Sequence, residues 1–188
     1  MSAATRGIHF ALNFVRHPYM LGSLVPSSRF LVDDLMARVD WEKATTLVEY
    51  GPGVGTITQE VLKRMRPDAT LVAIELNPNF LRVLRNEIQD PRFRLVHGSA
   101  LDVQQVLAQL NLPKADCIIS GIPFSTMCIS LRRNIAQEAR QALKPEGELV
   151  MYQFTRVALP HLESNFTSVR KGFQPLNILP AYIFYCTP

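Results

Sequence analysis

The stretch Glu49-Tyr50-Gly51-Pro52-Gly53-Val54-Gly55 concentrates the chemistry of this chain. Three glycines at alternate positions let a backbone turn approach a ligand closely and aim free N–H groups at it. The spacing is not the dinucleotide pattern Gly-x-Gly-x-x-Gly, because the third glycine comes one residue early and an acid, Glu49, stands just before the turn. A carboxylate there suits a cationic amino-acid moiety better than a pyrophosphate. A second acid, Glu75, closes the apolar run Leu71-Val72-Ala73-Ile74 about twenty residues after the glycines, where a carboxylate can accept from both hydroxyls of a ribose. A glycine turn alone could be only a tight turn, and Glu75 only a surface acid. Their agreement in position and chemistry makes a cofactor loop the better reading. His9, His17, His97 and His161 fall at no ligand spacing, and Cys117, Cys128 and Cys186 are too scattered for a disulfide framework or a zinc site, so no metal is expected.

The elements that must position these acids alternate. Short β-rich runs at 46–50, 71–75, 93–96, 117–120, 149–154 and 178–186 are separated by helical patterns at 56–65, 78–89, 103–110 and 131–143. That alternation predicts an α/β fold with a parallel sheet covered by helices on both faces. Asn77 and Pro78 read as the N-cap and first residue of the second helix, and Lys144-Pro145-Glu146-Gly147 as the turn ending the fourth. Residues 1–43 precede this core (44–188) as a helical extension of the same single domain, with a helix from about Ser28 to Val39. On a helical wheel, residues 6–16 place Arg6, His9, Asn13 and Arg16 on one side and Ile8, Phe10, Leu12, Phe14 and Val15 on the other. Such a helix either packs on the domain as a lid or lies in the headgroup boundary of an anionic membrane.

The segment Val48-Glu49-Tyr50-Gly51-Pro52-Gly53-Val54-Gly55-Thr56 resembles motif I of the class I S-adenosylmethionine-dependent methyltransferases. The resemblance implies a Rossmann-like, mostly parallel seven-stranded sheet and S-adenosylmethionine as cofactor. It places Glu49, Gly51, Gly53 and Gly55 under the methionine part, Glu75 on the ribose, and Leu76 against the adenine. His97-Gly98-Ser99-Ala100-Leu101 would edge the base, with Ser99 standing where many relatives carry an aspartate. A serine hydroxyl can still accept a hydrogen bond there.

The loop Ser120-Gly121-Ile122-Pro123-Phe124-Ser125 is where that family builds its acceptor site. Adenine-N6 methylases have Asn or Asp at the position of Gly121, so one acceptor for an adenine amine is missing. Ser28-Arg29-Phe30-Leu31 looks like the segment that covers the cofactor in ribosomal RNA adenine dimethylases, which places Ser28 near the cofactor. Those enzymes add a helical RNA-binding domain for which these residues offer no counterpart. Over its whole length the sequence is more similar to the bacterial phospholipid N-methyltransferases. The similarity rests on the 6–16 helix, Gly22-Ser23-Leu24-Val25-Pro26-Ser27-Ser28 and Gly121-Ile122-Pro123. It implies methyl transfer to the amine of phosphatidylethanolamine-type headgroups. Tyr19 would accept or relay the amine proton, and the carbonyls of Ser120 and Gly121 would orient the nitrogen. Tyr152, Phe154 and Tyr182 are candidates to line an acceptor or acyl groove, although aromatics on strands more often belong to the core.

Composition bounds these readings. The 188 residues, 47% hydrophobic and 19% charged, suit one globular domain without disorder. A formal charge of +4, with Arg6, Arg16 and Arg29 all ahead of the first acid, Asp33, favours anionic partners at the N-terminal end. With no apolar run long enough to cross a bilayer and no signal-peptide order, the expected location is cytoplasmic, soluble or peripheral on a membrane. Three functions stay open: a lipid amine methyltransferase, an RNA adenine methyltransferase with nucleic acid as the less favoured partner, and a noncatalytic cofactor-binding module. The oligomeric state is not legible.

Overall fold

The computed structural model describes residues 27–188. Helix α1 (Arg29–Met36) starts where the Ser28 hydroxyl accepts from the Leu31 N–H at 3.2 Å, and it buries Leu31, Val32, Leu35 and Met36. Strands β1 (Thr46–Tyr50), β2 (Thr70–Glu75) and β4 (Ala115–Ser120) are buried almost throughout, as their Val-, Ile- and Leu-rich sequences require when helices cover both faces. Helix α2 (Thr56–Arg64) follows the glycine turn, and α3 (Pro78–Glu87) is capped as expected, the Asn77 side chain accepting from Asn79 N–H at 2.9 Å. Then come β3 (Phe93–His97), α4 (Val103–Gln109), α5 (Ile129–Ala142), β5 (Leu143–Gln153), α6 (Leu159–Glu163), β6 (Ser168–Gln174) and β7 (Ala181–Thr187).

The sheet has seven strands in the order β3-β2-β1-β4-β5-β7-β6. All pairs from β3 to β5 are parallel, and β7 runs antiparallel to both β5 and β6. The alternation predicts the parallel part of this sheet, and its mostly parallel, seven-stranded, Rossmann-like form is the one that the family resemblance implies. The chain reverses its direction of winding between β1 and β4, and the crevice at the carboxyl ends of those strands is where such sheets bind ligands. Alternate residues feed two cores: Leu47 and Ile119 face α1 and α2, while Val48, Ile118 and Phe184 face α4 and α5. Each fully buried Leu or Ile contributes roughly 1.5–3 kcal/mol. That reserve lets the sheet carry two buried carboxylates at one end.

Three expectations are corrected. The residues Lys144 to Gly147, read as a turn, lie inside β5: its pairing jumps from Ala115↔Leu143 to Cys117↔Glu148, so they bulge opposite Asp116 alone. Asp116 anchors the bulge by accepting from Lys144 Nζ and, at 2.9 Å each, from the Thr45 and Thr46 N–H groups. The predicted strand 178–186 starts only at Ala181, because residues 175–180 form the tip of a β6–β7 hairpin. β6 itself had no clear signal, since its exposed Arg170 and Lys171 make it read as a loop. The 6–16 helix and Tyr19 lie outside the described residues. None of the described helices is long and apolar enough to cross a membrane.

Candidate functional site

The three glycines of the turn all take positive φ, +67° at Gly51, +57° at Gly53 and +86° at Gly55, a region that side chains with a Cβ resist. A Cβ on Gly51 would stand 2.7 Å from Ile122 Cγ2, so the turn is pressed against the loop after β4. Gly51 N–H is spent on the Ile74 carbonyl at 3.0 Å. Gly53 N–H donates to Glu75 Oε2 at 3.2 Å, while Glu75 Oε1 accepts from Asn77 N–H at 2.8 Å. Glu75 is thereby locked beneath the turn at the end of β2. Beside it Leu76 is 68% exposed, a large apolar side chain left facing solvent next to a buried acid.

Glu49 is 2% exposed, and its only side-chain partner among the described residues is the Thr58 hydroxyl of α2, which donates at 2.7 Å. Burial pushes its carboxyl up to about 7; the Thr58 hydrogen bond pulls the other way and the nearby Glu75 adds to the rise. No cation of the described residues neutralises this buried acid, which makes Glu49 a candidate partner for a ligand cation.

Glu49, Gly51, Gly53 and Gly121 line one cleft with Ser27, Ile119 and Tyr152. Gly121 is glycine for a packing reason: a Cβ there would lie 2.6 Å from Tyr152 Oη. The phenol fills the space that an Asn or Asp side chain would need. Burial raises the Tyr152 hydroxyl above its ordinary range, offset by a hydrogen bond with Ser27, while Glu49 adds to the rise. Gln153 fixes the same loop, accepting from Phe124 N–H at 3.0 Å and donating to the Ile122 carbonyl at 2.7 Å.

Other expected residues sit differently. Gly55 is the N-cap of α2, behind the turn. Ser28 is occupied in capping α1 and donates its N–H to Asn177 Oδ1 at 2.8 Å; its neighbour Ser27 is the one that lines the cleft. Ser120 pairs with Tyr50, so its side chain leaves on the face opposite Glu49, fully buried with no partner for its hydroxyl among the described residues. Only its main chain is left to serve the cleft. Ser99 and Ala100 follow β3, and Gly98 N–H donates to the Glu75 carbonyl at 3.1 Å, tying that corner to the ribose candidate. The Ser99 hydroxyl accepts from Leu101 N–H, and Asp102 accepts from Ser99 N–H, both at 3.2 Å. An acid therefore does stand at that corner, three residues later than the resemblance suggests. Thr58, Tyr152 and Gln153 complete the site. Tyr152 was legible as an aromatic on a strand, whereas Thr58 and Gln153 carried no sequence signal.

Comparison with known proteins supplies the family and supports the fold. Residues 42–179 match the methyltransferase domain family. An ornithine lipid N-methyltransferase of Singulisphaera acidiphila is 31% identical over 181 residues, covering 94% of this chain and 93% of that protein. A ribosomal RNA small subunit methyltransferase A of Dehalococcoides mccartyi is 30% identical over 136 residues, but this chain spans only 43% of its length. Among solved structures, a precorrin-6y C5,15-methyltransferase from Geobacter metallireducens superposes with a TM-score of 0.68 at 18% identity, covering 84% of this chain and 88% of that one. Fibrillarin from Aeropyrum pernix, solved with natively bound S-adenosyl-L-methionine, does so at 0.61 with 12% identity, covering 76% and 66%. The strand order, the glycine turn at its switch point and the match over most of the sequence converge, and the chain belongs to the methyltransferase domain family as an enzyme of methyl transfer.

Proposed function

We propose that this protein is an S-adenosylmethionine-dependent N-methyltransferase acting on the amine of an aminolipid headgroup, of the ornithine or ethanolamine type. The observation that carries the acceptor class is the similarity to a lipid N-methyltransferase along nearly the whole of both chains, where the RNA-methylating relative matches over less than half of its length. Gly121 backed by Tyr152 supports it, because the side-chain amide that would meet an adenine amine has no room.

The described residues fit the cofactor. Glu49 would hold its ammonium, the Gly51–Gly53 turn its methionine backbone, Glu75 its ribose hydroxyls and Leu76 the face of its adenine, with Ser99 and Ala100 at the base edge. S-adenosylmethionine supplies a methyl group already activated on a positively charged sulfur. Positioning then dominates: the amine must be neutral and held in line about 3 Å from that carbon. The carbonyls of Ser120 and Gly121 and the Tyr152 hydroxyl are the groups that orient it, and Tyr19 is the sequence's candidate to take its proton.

The test is incubation with methyl-labelled cofactor and, separately, detergent-dispersed ornithine lipid, phosphatidylethanolamine and a ribosomal RNA transcript. Label in one or both lipids supports the reading and names the headgroup. Label in RNA alone overturns it in favour of the adenine-methylating reading.

A further inference from the structure

The β6–β7 hairpin ends on an apolar tip whose exposure the methyl-transfer reaction does not explain. Leu176 is 61% exposed, Ile178 69% and Leu179 42%, and Phe173 at the base of the tip is 54% exposed. Polar groups at the tip turn inward. Asn177 accepts from Ser28 N–H and donates to the Leu179 carbonyl; Gln174 accepts from Leu176 N–H and donates to Asp34 of α1. These bonds fix the tip in a shape that leaves its apolar side chains outside, in water, where a single patch of this kind marks an interaction surface.

The position of the tip points to its partner. β6 runs parallel to β5, because both are antiparallel to β7, so the tip projects from the carboxyl end of the sheet, the end that carries the cleft. The charges around it leave two cations without an acid partner among the described residues, Arg156 and Arg29. Residues 149–188 contain Arg156, Arg170 and Lys171 against a single acid, Glu163, which pairs with Lys171 at 2.8 Å, while Asp34 of α1 is engaged by Gln174. Arg156 lies over the Tyr182 ring at 4.8 Å with no acid partner among the described residues, and Arg29 lies over Phe30 at 4.8 Å at the N-terminus of α1, next to the tip. Arg156 and Lys171 line one groove with Phe173 and Tyr182. Apolar side chains flanked by cations complement an anionic bilayer, in which the former enter the acyl boundary and the latter meet the headgroups.

We propose that the β6–β7 hairpin tip is a membrane-docking wedge: Leu176, Ile178 and Leu179 enter the interface of an anionic bilayer while Arg29 and Arg156 meet its headgroups, setting the mouth of the cleft against the lipid surface. Its purpose rests on the lipid-acceptor reading, since an enzyme of headgroup amines must meet them at the membrane.

The test uses the full chain and the triple variant Leu176→Ser, Ile178→Ser, Leu179→Ser with vesicles of equimolar phosphatidylcholine and phosphatidylglycerol. Vesicle partitioning should fall on the order of tenfold or more in the variant. Affinity for S-adenosylhomocysteine, and turnover of detergent-dispersed acceptor, should stay within about twofold, which shows that the fold is intact. Arg156→Gln alone should weaken partitioning roughly fivefold, with no effect on vesicles of phosphatidylcholine only. Unchanged partitioning of the triple variant overturns the proposal. So does loss of binding on changing Phe10 and Phe14 to Asp but not on changing the tip, and so does a lipid-free shift from dimer to monomer in the triple variant. Tip-dependent vesicle binding by a wild type that methylates no lipid in any format would uphold the wedge and remove the lipid-acceptor reading.

Discussion

Replacing Glu49 by Gln should make the ligand-free protein more stable and its hold on the cofactor weaker. The carboxyl is 2% exposed, and burial, against the pull of the Thr58 hydroxyl and with a push from Glu75, takes it from 4.5 up to about 7. A rise of that size corresponds to about 3 kcal/mol between the two protonation states. Because the folded value lies above the unfolded one, the stabilising contribution is complete below about pH 4.5 and is lost as pH rises through about 7. Gln keeps an oxygen for the Thr58 hydroxyl and never ionises. The variant should therefore match the wild type near pH 4.5 and exceed it by up to about 3 kcal/mol at pH 8, with roughly 2–4 °C in Tm for each kcal/mol in a chain of this size. Binding should move the opposite way. If Glu49 holds the ligand ammonium as a carboxylate, the wild-type Kd for S-adenosylhomocysteine should rise by up to about tenfold for each pH unit below 7, while the variant binds weakly and with a flat profile. Scanning calorimetry at four pH values, with titration calorimetry in two buffers of different ionisation heat, reads both effects and the proton released. A variant less stable than the wild type at pH 8, or parallel Kd profiles in the two proteins, would refute the assignment.

Three further outcomes follow from the geometry. Gly51→Ala should cost about 2–4 kcal/mol in urea denaturation, from the positive φ and from a Cβ 2.7 Å from Ile122. Gly121→Ala should displace the Tyr152 phenol and cut methyl transfer on the order of tenfold while leaving S-adenosylhomocysteine affinity in place; adding Tyr152→Leu should restore the denaturation midpoint but not turnover. Asp116→Asn tests the anchor at the other end of the sheet. Although burial pushes the Asp116 carboxyl upward, Lys144 and the Thr46 and Thr45 N–H groups hold it below its ordinary 3.8. Its contribution is present above that pH and lost as pH falls, so the variant should have a lower urea midpoint than the wild type at pH 7, and the gap should close as the pH falls below 3.8.

What could be read from the residues alone was whatever is encoded within one element or one turn. Gly51, Gly53 and Gly55 announce positive φ, Asn77-Pro78 announces a helix start, and the apolar runs ending in Glu49-Tyr50 and Glu75 announce buried strands; each stands where expected. Failures were local as well. β6 alternates too weakly, with Arg170 and Lys171 on an edge, and Pro145-Gly147 carries turn chemistry that Asp116 and Lys144 recruit into a bulge instead.

Tertiary structure alone decided which side chains meet. Register sends Glu49 and Ser120 to opposite faces of adjacent strands, so one acid enters the cleft and the hydroxyl beside it is sealed away. It also brings Tyr152 over Gly121, thirty-one residues earlier, and turns Ser28 into a cap while Ser27 lines the cleft. The physical reason is range. Backbone dihedrals and periodic burial are set by neighbours in sequence, whereas a contact between strands depends on a register that the whole sheet fixes at once.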